Sequence, residues 1–600
     1  MGSLRIANCS GFYGDRISAA REMVTGGDID VLTGDYLAEL TMFLLWKARS
    51  AGRPGYAVTF LRQMEEVLGT CLDRGIKVVT NAGGLDPGRL ADDLRAVAQR
   101  LGLSPNIAYI NGDDLMGRLP ALQAGGVDFR NLDTGKLLSE ADVPPVTANA
   151  YLGGRGVAYA LSQGAEIVIC PRITDASLVV GPCMWRFGWG DDEYDKLAGA
   201  VAAGHVIECG AQATGGNYAF FAEIENLGTP GFPIAEMAPD GSAVITKHAH
   251  TGGLVSVGTV TAQLVYEIGD NHYLNPDVTL ELDSIHLTQE GPDRVRLSGT
   301  RGLPPPPTLK VAVTCEGLHR QSMTFAIPGE DVELKAQWAC RGMLETLGGA
   351  DQFDDVDFRV VRHDQPGSVI NELSVAKLVA TFSARDPSVL GRRIFDAATG
   401  LALSSYPGIY FQDERQQRPT QSGVNWPCLV PAHLVTERVI LDDGTEHEIP
   451  DRIPVETGPA THSALRTGSV NGRVIGPTAR VSLGTVFGAR SGDKGANANV
   501  GLWARNAEAY RWLEHDFTVA AFRQVLPEAD GLEITRTALP NLKAVNFVVH
   551  GLLGEGAASG SRFDPQAKGL AEFIRSRFVE LPVALLKAGD RSDGTAEAMR

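Results

Sequence analysis

Short apolar segments alternate with amphipathic ones along residues 4–180, and most of the apolar segments run into a glycine-bearing or acidic loop. The segments 4–9, 30–33, 76–80, 106–110 and 166–170 read as buried strands. Between them, Phe60, Met64, Val67, Leu68 and Cys71 recur at helical spacing, as do Leu90, Leu94, Val97, Ala98 and Leu101. Leu37, Leu40, Leu44, Leu45 and Ala48 form a third such stripe. This alternation specifies an α/β domain with a mainly parallel sheet and helices on both faces. Right-handed crossovers then gather the loops that follow the strands along one edge, where open α/β sheets bind ligands.

The chain has 600 residues, too many for one core. We place the α/β domain at 1–200 and a mixed α+β middle domain at 201–411. The runs 255–266 and 278–287 look β-like there, and 332–347 and 387–403 look helical. Residues 412–480 read as a linker or arm. A small domain at 481–590 has strands at 532–539 and 544–552, a helix at 563–578 and a last strand at 582–586, an order that predicts a ferredoxin-like α+β fold. Residues 591–600 form a tail.

With 44% hydrophobic and 21% charged residues, a mostly disordered chain is excluded. A formal net charge of -18 argues against a nucleic-acid partner. The 8 cysteines make no Cys-x-x-Cys pair, which suits a reducing compartment. No apolar run approaches the roughly 20 residues of a spanning helix, and no secretory leader is recognisable. We expect a cytoplasmic protein with no membrane partner.

Three aspartates close predicted strands: Asp15, Asp35 and Asp175. A carboxylate in that position serves as a general base, holds a lysine, or caps a helix. Along the same edge, Gly11 and Gly14, Asn81 with Gly83 and Gly84, Asn149 with Gly153 and Gly154, and Gly215 and Gly216 with Asn217 offer backbone N–H groups to a substrate. Tight turns are the alternative reading of each. His248 and His250 form the densest histidine cluster; on a strand, residues two apart face one side, so both rings are expected to enter one pocket. Arg490, Ser491, Gly492, Lys494, Gly495 and Asn497 form a motif expected between a strand and a helix, where backbone N–H groups and two cations hold a phosphate. It lacks Walker spacing. Cys209 reads as a buried structural thiol.

The segments 11–16, 34–39, 81–84, 149–154, 172–177, 208–218 and 248–253 resemble the acyclic terpene utilisation AtuA family, over roughly residues 4–460. The Ser-Gly-Asp-Lys-Gly motif at 491–495 is similar to that of the ferredoxin-fold domain often fused to it. The resemblance implies breakdown of citronellol- and geraniol-type terpenoids as CoA thioesters, near branched acyl-CoA carboxylases and hydratases. It supplies no agreed reaction and no catalytic residues.

Taken together with what the resemblance implies, the residues lead us to expect an enzyme that moves protons on an acyl-CoA or related carboxylate, as a hydratase or carbon–carbon lyase. Asp175, Asp35, His248 and His250 are its candidate acids and bases, and the glycine loops its oxyanion hole. CoA belongs to the substrate; no tightly bound cofactor or metal is expected. A non-catalytic acyl-CoA-binding or assembly subunit and a metal-dependent hydrolase built on the two histidines are the alternatives. A homo-oligomer, in contact with a branched acyl-CoA carboxylase, is the expected assembly.

Overall fold

Side chains of the first strand, Leu4–Asn8, alternate between two cores: Leu4 and Ile6 enter one, Ala7 and then Cys9 the other. The same period-2 split continues through Val31 and Leu32, Val78 and Val79, and Ile167 and Val168. A sheet buried on both faces requires it. The computed structural model describes residues 2–412, 418–452, 473–560 and 562–586. Five central strands run parallel in the order Leu4–Asn8, Val31–Gly34, Lys77–Thr80, Ile167–Ile169, Ile107–Asn111. Helices Ala19–Thr25, Val58–Asp73 and Pro87–Arg100 pack on one face; Arg155–Ser162, Ser177–Phe187 and Tyr194–Ile207 pack on the other.

The sheet does not stop at residue 200. Antiparallel strands Pro233–Met237, Ala243–Lys247, Arg294–Ser298 and His286–Gly291 extend one side, and Arg438–Ile440 and Glu446–Glu448 extend the other, to eleven strands. The stretch read as an arm thus completes the first sheet. A second sheet is built on the 21-residue strand Thr308–Pro328, which pairs with Val375–Ala384, Thr420–Pro431 and, from the N-terminal region, Pro145–Ala150. Helices Val332–Leu347 and Arg392–Gly400 cover it. Sheet pairing, not sequence order, therefore sets the boundaries between units.

The C-terminal unit is the expected small ferredoxin-like domain, with spatial order Phe487–Lys494, Asn497–Ala504, Ala544–Val549, Ile534–Leu539. Its helix Ala507–His515 starts at Asn506, whose side chain accepts from Ala509 N at 2.9 Å. Phe517, Phe522 and Phe547 fill its core.

Several local readings change. The β-like run at 255–266 is the helix Val257–Leu264: Ser256 caps it, accepting from Thr259 N at 3.2 Å, so packing and a cap outweigh the β-branched composition. The segment 582–586 ends a strand, Phe578–Pro582, and begins a short helix; the helix read at 563–578 is confined to Leu570–Arg575. In helix Glu39–Ser50 the buried face carries Met42, Phe43 and Leu45, while Leu44 is exposed. The tail at 591–600 lies outside the described residues. Among those described, no helix is long and apolar enough to cross a membrane.

Glu437, just before strand Arg438–Ile440, ties that edge of the first sheet to helix Arg155–Ser162, accepting from Gly156 N at 3.1 Å. Burial, then the charge of Asp277, pushes its pKa up to about 8. A carboxyl raised in the folded state favours folding fully below its unfolded value and loses that contribution as pH climbs through the folded one. Melting temperature is therefore expected to fall between about pH 4.5 and 8 with a component that Glu437→Gln removes. Melts of both proteins across that range check it; equal slopes would refute it.

Candidate active site

The strand ends of the parallel sheet meet the second sheet and the ferredoxin-like domain in one polar junction. Asp35 directly follows a strand and accepts from Asn81 Nδ2 at 2.6 Å, while Asn81 Oδ1 accepts from Tyr36 N at 2.8 Å. One amide thus ties two neighbouring strand ends. Arg172 lies over the Tyr151 ring at 4.2 Å and donates to Asp175 Oδ1 at 3.0 Å and Leu37 O at 3.3 Å. Asp113 accepts from Asn149 Nδ2 at 2.7 Å and Arg172 N at 3.2 Å. The second sheet contributes Lys310, 2.9 Å from Glu39 Oε1, and Asn425, which donates to Glu39 Oε2 at 2.6 Å. Glu208 follows helix Tyr194–Ile207, its Oε1 3.1 Å from His205 Nδ1. The ferredoxin-like domain adds Lys494, which donates to Glu267 O at 2.9 Å.

Burial dominates the ionisation of this cluster. It pushes Asp35 and Glu208 well above the usual carboxylate range, reinforced in both by the charge of Asp175. Burial raises Asp175 as well, opposed by its Arg172 partner. Burial also raises Glu39, but the Lys310 ammonium outweighs it and the carboxyl stays low. Desolvation takes His205 down to about 4, leaving a neutral imidazole, and lowers Lys494, assisted by repulsion from Lys310. Asp175 and Lys310 nevertheless keep 27% and 35% of their side-chain surface accessible. Strong desolvation with residual access describes the wall of an internal cleft. At its rim, Glu39, Phe43, Asn425, Asp493 and Ala558 leave about 20 Å³, room for one water. Four buried polar atoms here have no hydrogen-bond partner: Arg172 Nε, Asn149 Oδ1, His205 Nε2 and Glu208 Oε2.

The junction brings together Asp35, Asp175, Asn81, Asn149 and Lys494 from the sequence-derived set. The histidines go elsewhere. His248 packs against Gly26 and Gly27 with Nε2 2.9 Å from Met23 O, and His250 sits in a turn at φ 64°, exposed to solvent. Strand Ala243–Lys247 ends before them, so the two rings do not share a face, and the metal-hydrolase reading loses its ligand pair. Among the described residues no group of three or more His, Cys, Asp or Glu side chains converges as metal ligands would.

The glycine loops turn inward. Gly154 N donates to both oxygens of Asp277, at 3.0 and 2.9 Å, and a Cβ on Gly153 would strike the same carboxylate. Asp15 closes its own loop, accepting from Gly11 N at 2.8 Å and Arg16 N at 2.7 Å. Gly11 is required by the Cys209 backbone, which would lie 2.6 Å from a Cβ; Gly14 faces only the Phe12 ring. Gly83 N and Gly84 N donate to Cys170 O and Asn81 O in a turn. Gly215 and Gly216 continue a turn whose Asn217 O accepts from Arg490 at 2.9 Å. The motif 490–497 is not a loop before a helix but a strand, Phe487–Lys494, and its hairpin. Arg490 stacks on Tyr266, Ser491 accepts from Ala571 N, and Gly492 faces Tyr266. Gly495 and Asn497 surround the Asp133 carboxylate, which accepts from Ala496 N at 3.0 Å and Asn497 Nδ2 at 2.8 Å. The backbone at the hairpin tip does hold an anion, and that anion is internal. Burial pushes the Cys209 thiol up, so it is no thiolate.

Arg172, Glu39, Lys310, His205, Glu208 and Asp113 went unassigned in the sequence. Glu39, Arg172 and Glu208 lie in segments that carry the family resemblance. Asp133→Ala removes both carboxylate bonds at the hairpin tip and is expected to lower stability by about 1–3 kcal/mol, with faster amide exchange at Ala496. Denaturant unfolding and hydrogen exchange check both; unchanged exchange there would refute the docking role.

Residues 4–441 match the acyclic terpene utilisation family protein AtuA, and residues 481–580 match the AtuA ferredoxin-like domain. No curated protein matches the chain. The first match spans the two sheets that form the junction and the second spans the domain that closes it, so the chain belongs to the acyclic terpene utilisation AtuA family.

Proposed function

We propose that this protein is an enzyme of acyclic terpenoid or branched acyl-CoA catabolism that transfers protons on an acyl-CoA or related carboxylate. The observation that carries this reading is the meeting of Asp35, Asp175 and Glu208 in one desolvated cleft with Arg172. Carboxyls whose surroundings push their pKa values apart divide into acid and base. Asp175, paired with Arg172, is the base; Asp35 and Glu208 hold protons near neutrality and are the acids.

In a hydration, Asp175 takes a proton from water as its oxygen bonds to the β-carbon, and an acid returns a proton to the α-carbon. In a cleavage, Asp175 takes the β-hydroxyl proton, the carbon–carbon bond breaks, and the acid protonates the enolate carbon. Arg172 Nε, buried and unpartnered, is the donor offered to the thioester oxygen. Arg490 spends its Nη1 on Asn217 O and stacks on Tyr266.

A second reading, a non-catalytic subunit that presents acyl-CoA to a carboxylase, is favoured by Leu334 and Trp338. They lie one turn apart on helix Val332–Leu347, 53% and 57% exposed. Stable co-purification with a carboxylase would support it.

Turnover with geranyl-CoA, citronellyl-CoA and their carboxylated and hydrated derivatives tests the first reading. Asp175→Asn is expected to lower kcat by about 10²–10⁴-fold, and His248→Ala to leave it nearly unchanged. Full activity in Asp175→Asn would exclude the mechanism. Lys494→Ala should weaken ligand binding in calorimetric titration; unaltered affinity would remove Lys494 from the site.

A further inference from the structure

Glu267 sits in the turn 266–269 at φ 56°, a left-handed backbone that a residue with a Cβ adopts only where its surroundings enforce it. The enforcing groups all belong to the ferredoxin-like domain. Asn499 Oδ1 accepts from Glu267 N at 2.7 Å, Lys494 Nζ donates to Glu267 O at 2.9 Å, and Lys568 Nζ donates to Glu267 Oε1 at 3.0 Å. Asn546 Nδ2 donates to Gly269 O at 2.9 Å. Close approach is possible because residue 492 is glycine: a Cβ there would lie 2.5 Å from the Tyr266 ring. The conspicuous motif of the C-terminal domain is thus a clamp on this turn. Docking alone does not call for glutamate, since glycine or asparagine takes the same backbone at less cost.

We infer that Glu267 belongs to the active site as a positioning residue, and that the ferredoxin-like domain is the part of the chain that sets it there. The inference rests on the junction being the proton-transfer site proposed above. From the N-terminal side Glu267 is faced by Asp175, His205, Glu208, Cys209 and Tyr273; from the C-terminal side by Asp493, Lys494 and Lys568; and by its neighbour Tyr266. Its negative charge opposes ionisation of Asp175 and Glu208. It therefore makes Asp175 a stronger base and helps keep the proton on Glu208.

The test reads those protons directly. Buried protonated carboxyls retain an infrared C=O stretch above about pH 6, where exposed ones have ionised. In Glu267→Gln the midpoint of that band is expected to fall by about one pH unit, a tenfold loss of proton affinity. Glu267→Gly removes both the carboxylate and the strain; it should melt no lower than the native protein yet lose kcat/KM by about 100-fold. Glu267→Asp should restore part of the activity. An unmoved infrared midpoint in a protein that turns over substrate would overturn the role of Glu267 and spare the proposed function. A shifted midpoint in a protein with no turnover would support the placement of Glu267 and sink the proposed function. A Glu267→Gly protein that unfolds earlier would reduce the residue to a docking contact.

Discussion

An ionised carboxylate taken out of water without a partner costs more than the few kcal/mol by which a domain is stable. The junction gathers Asp35, Glu39, Asp175, Glu208 and Glu267, and the surrounding fold is organised by the need to match them. Arg172 pairs with Asp175, Lys310 with Glu39, and Lys568 with Glu267. Asp35 and Glu208 have no such cation among the described residues, and burial pushes both carboxyls well above the usual carboxylate range. The three cations come from three places: the loop after a parallel strand, the long strand of the second sheet, and the ferredoxin-like domain. Two of the three pairs, Lys310 with Glu39 and Lys568 with Glu267, cross between units. Assembly of all three is therefore a condition of burying the acids, and the chain joins its units by shared sheets and clamped turns.

Glycine loops illustrate how one physical rule takes different ligands. Backbone N–H groups freed from side-chain crowding attract an anion. At Gly154 the anion is Asp277, and at the hairpin tip after Lys494 it is Asp133. Both are side chains of this chain, supplied from distant sequence. These internal carboxylates tie distant segments together. Among the described residues, Arg172 Nε and Glu208 Oε2 are left with no internal partner.

What the sequence made legible follows from range. Helical stripes such as Phe60, Met64, Val67, Leu68 and Cys71 are local, and all five are buried as expected. Asp35, Asn81 and Asp175 were found because a parallel sheet delivers every strand end to one edge. Leu44 shows the limit of periodicity: the helix buries Phe43 against the second sheet instead, near Gly423. Lys310 and Glu39 are 271 residues apart and meet only because two sheets do. A lysine on a half-buried strand carries no mark of its partner. The histidines misled because their positions follow a strand's end, where the two-residue alternation no longer holds.

The position of Glu267 sharpens the case for chemistry at this junction. A fold selected only for stability has little reason to hold a glutamate in a left-handed turn beside other acids, since glycine relieves the strain and an uncharged side chain relieves the repulsion. Both costs fall on one residue. In the proposed mechanism both also have a use: negative charge beside Asp175 and Glu208 strengthens the base and keeps the proton on the acid. A carboxylic acid that keeps its proton near neutral pH is an effective donor, and a narrow, desolvated cleft strengthens every hydrogen bond made inside it. In the proposed mechanism, the burial that makes the acids expensive is the same burial that makes them effective proton donors.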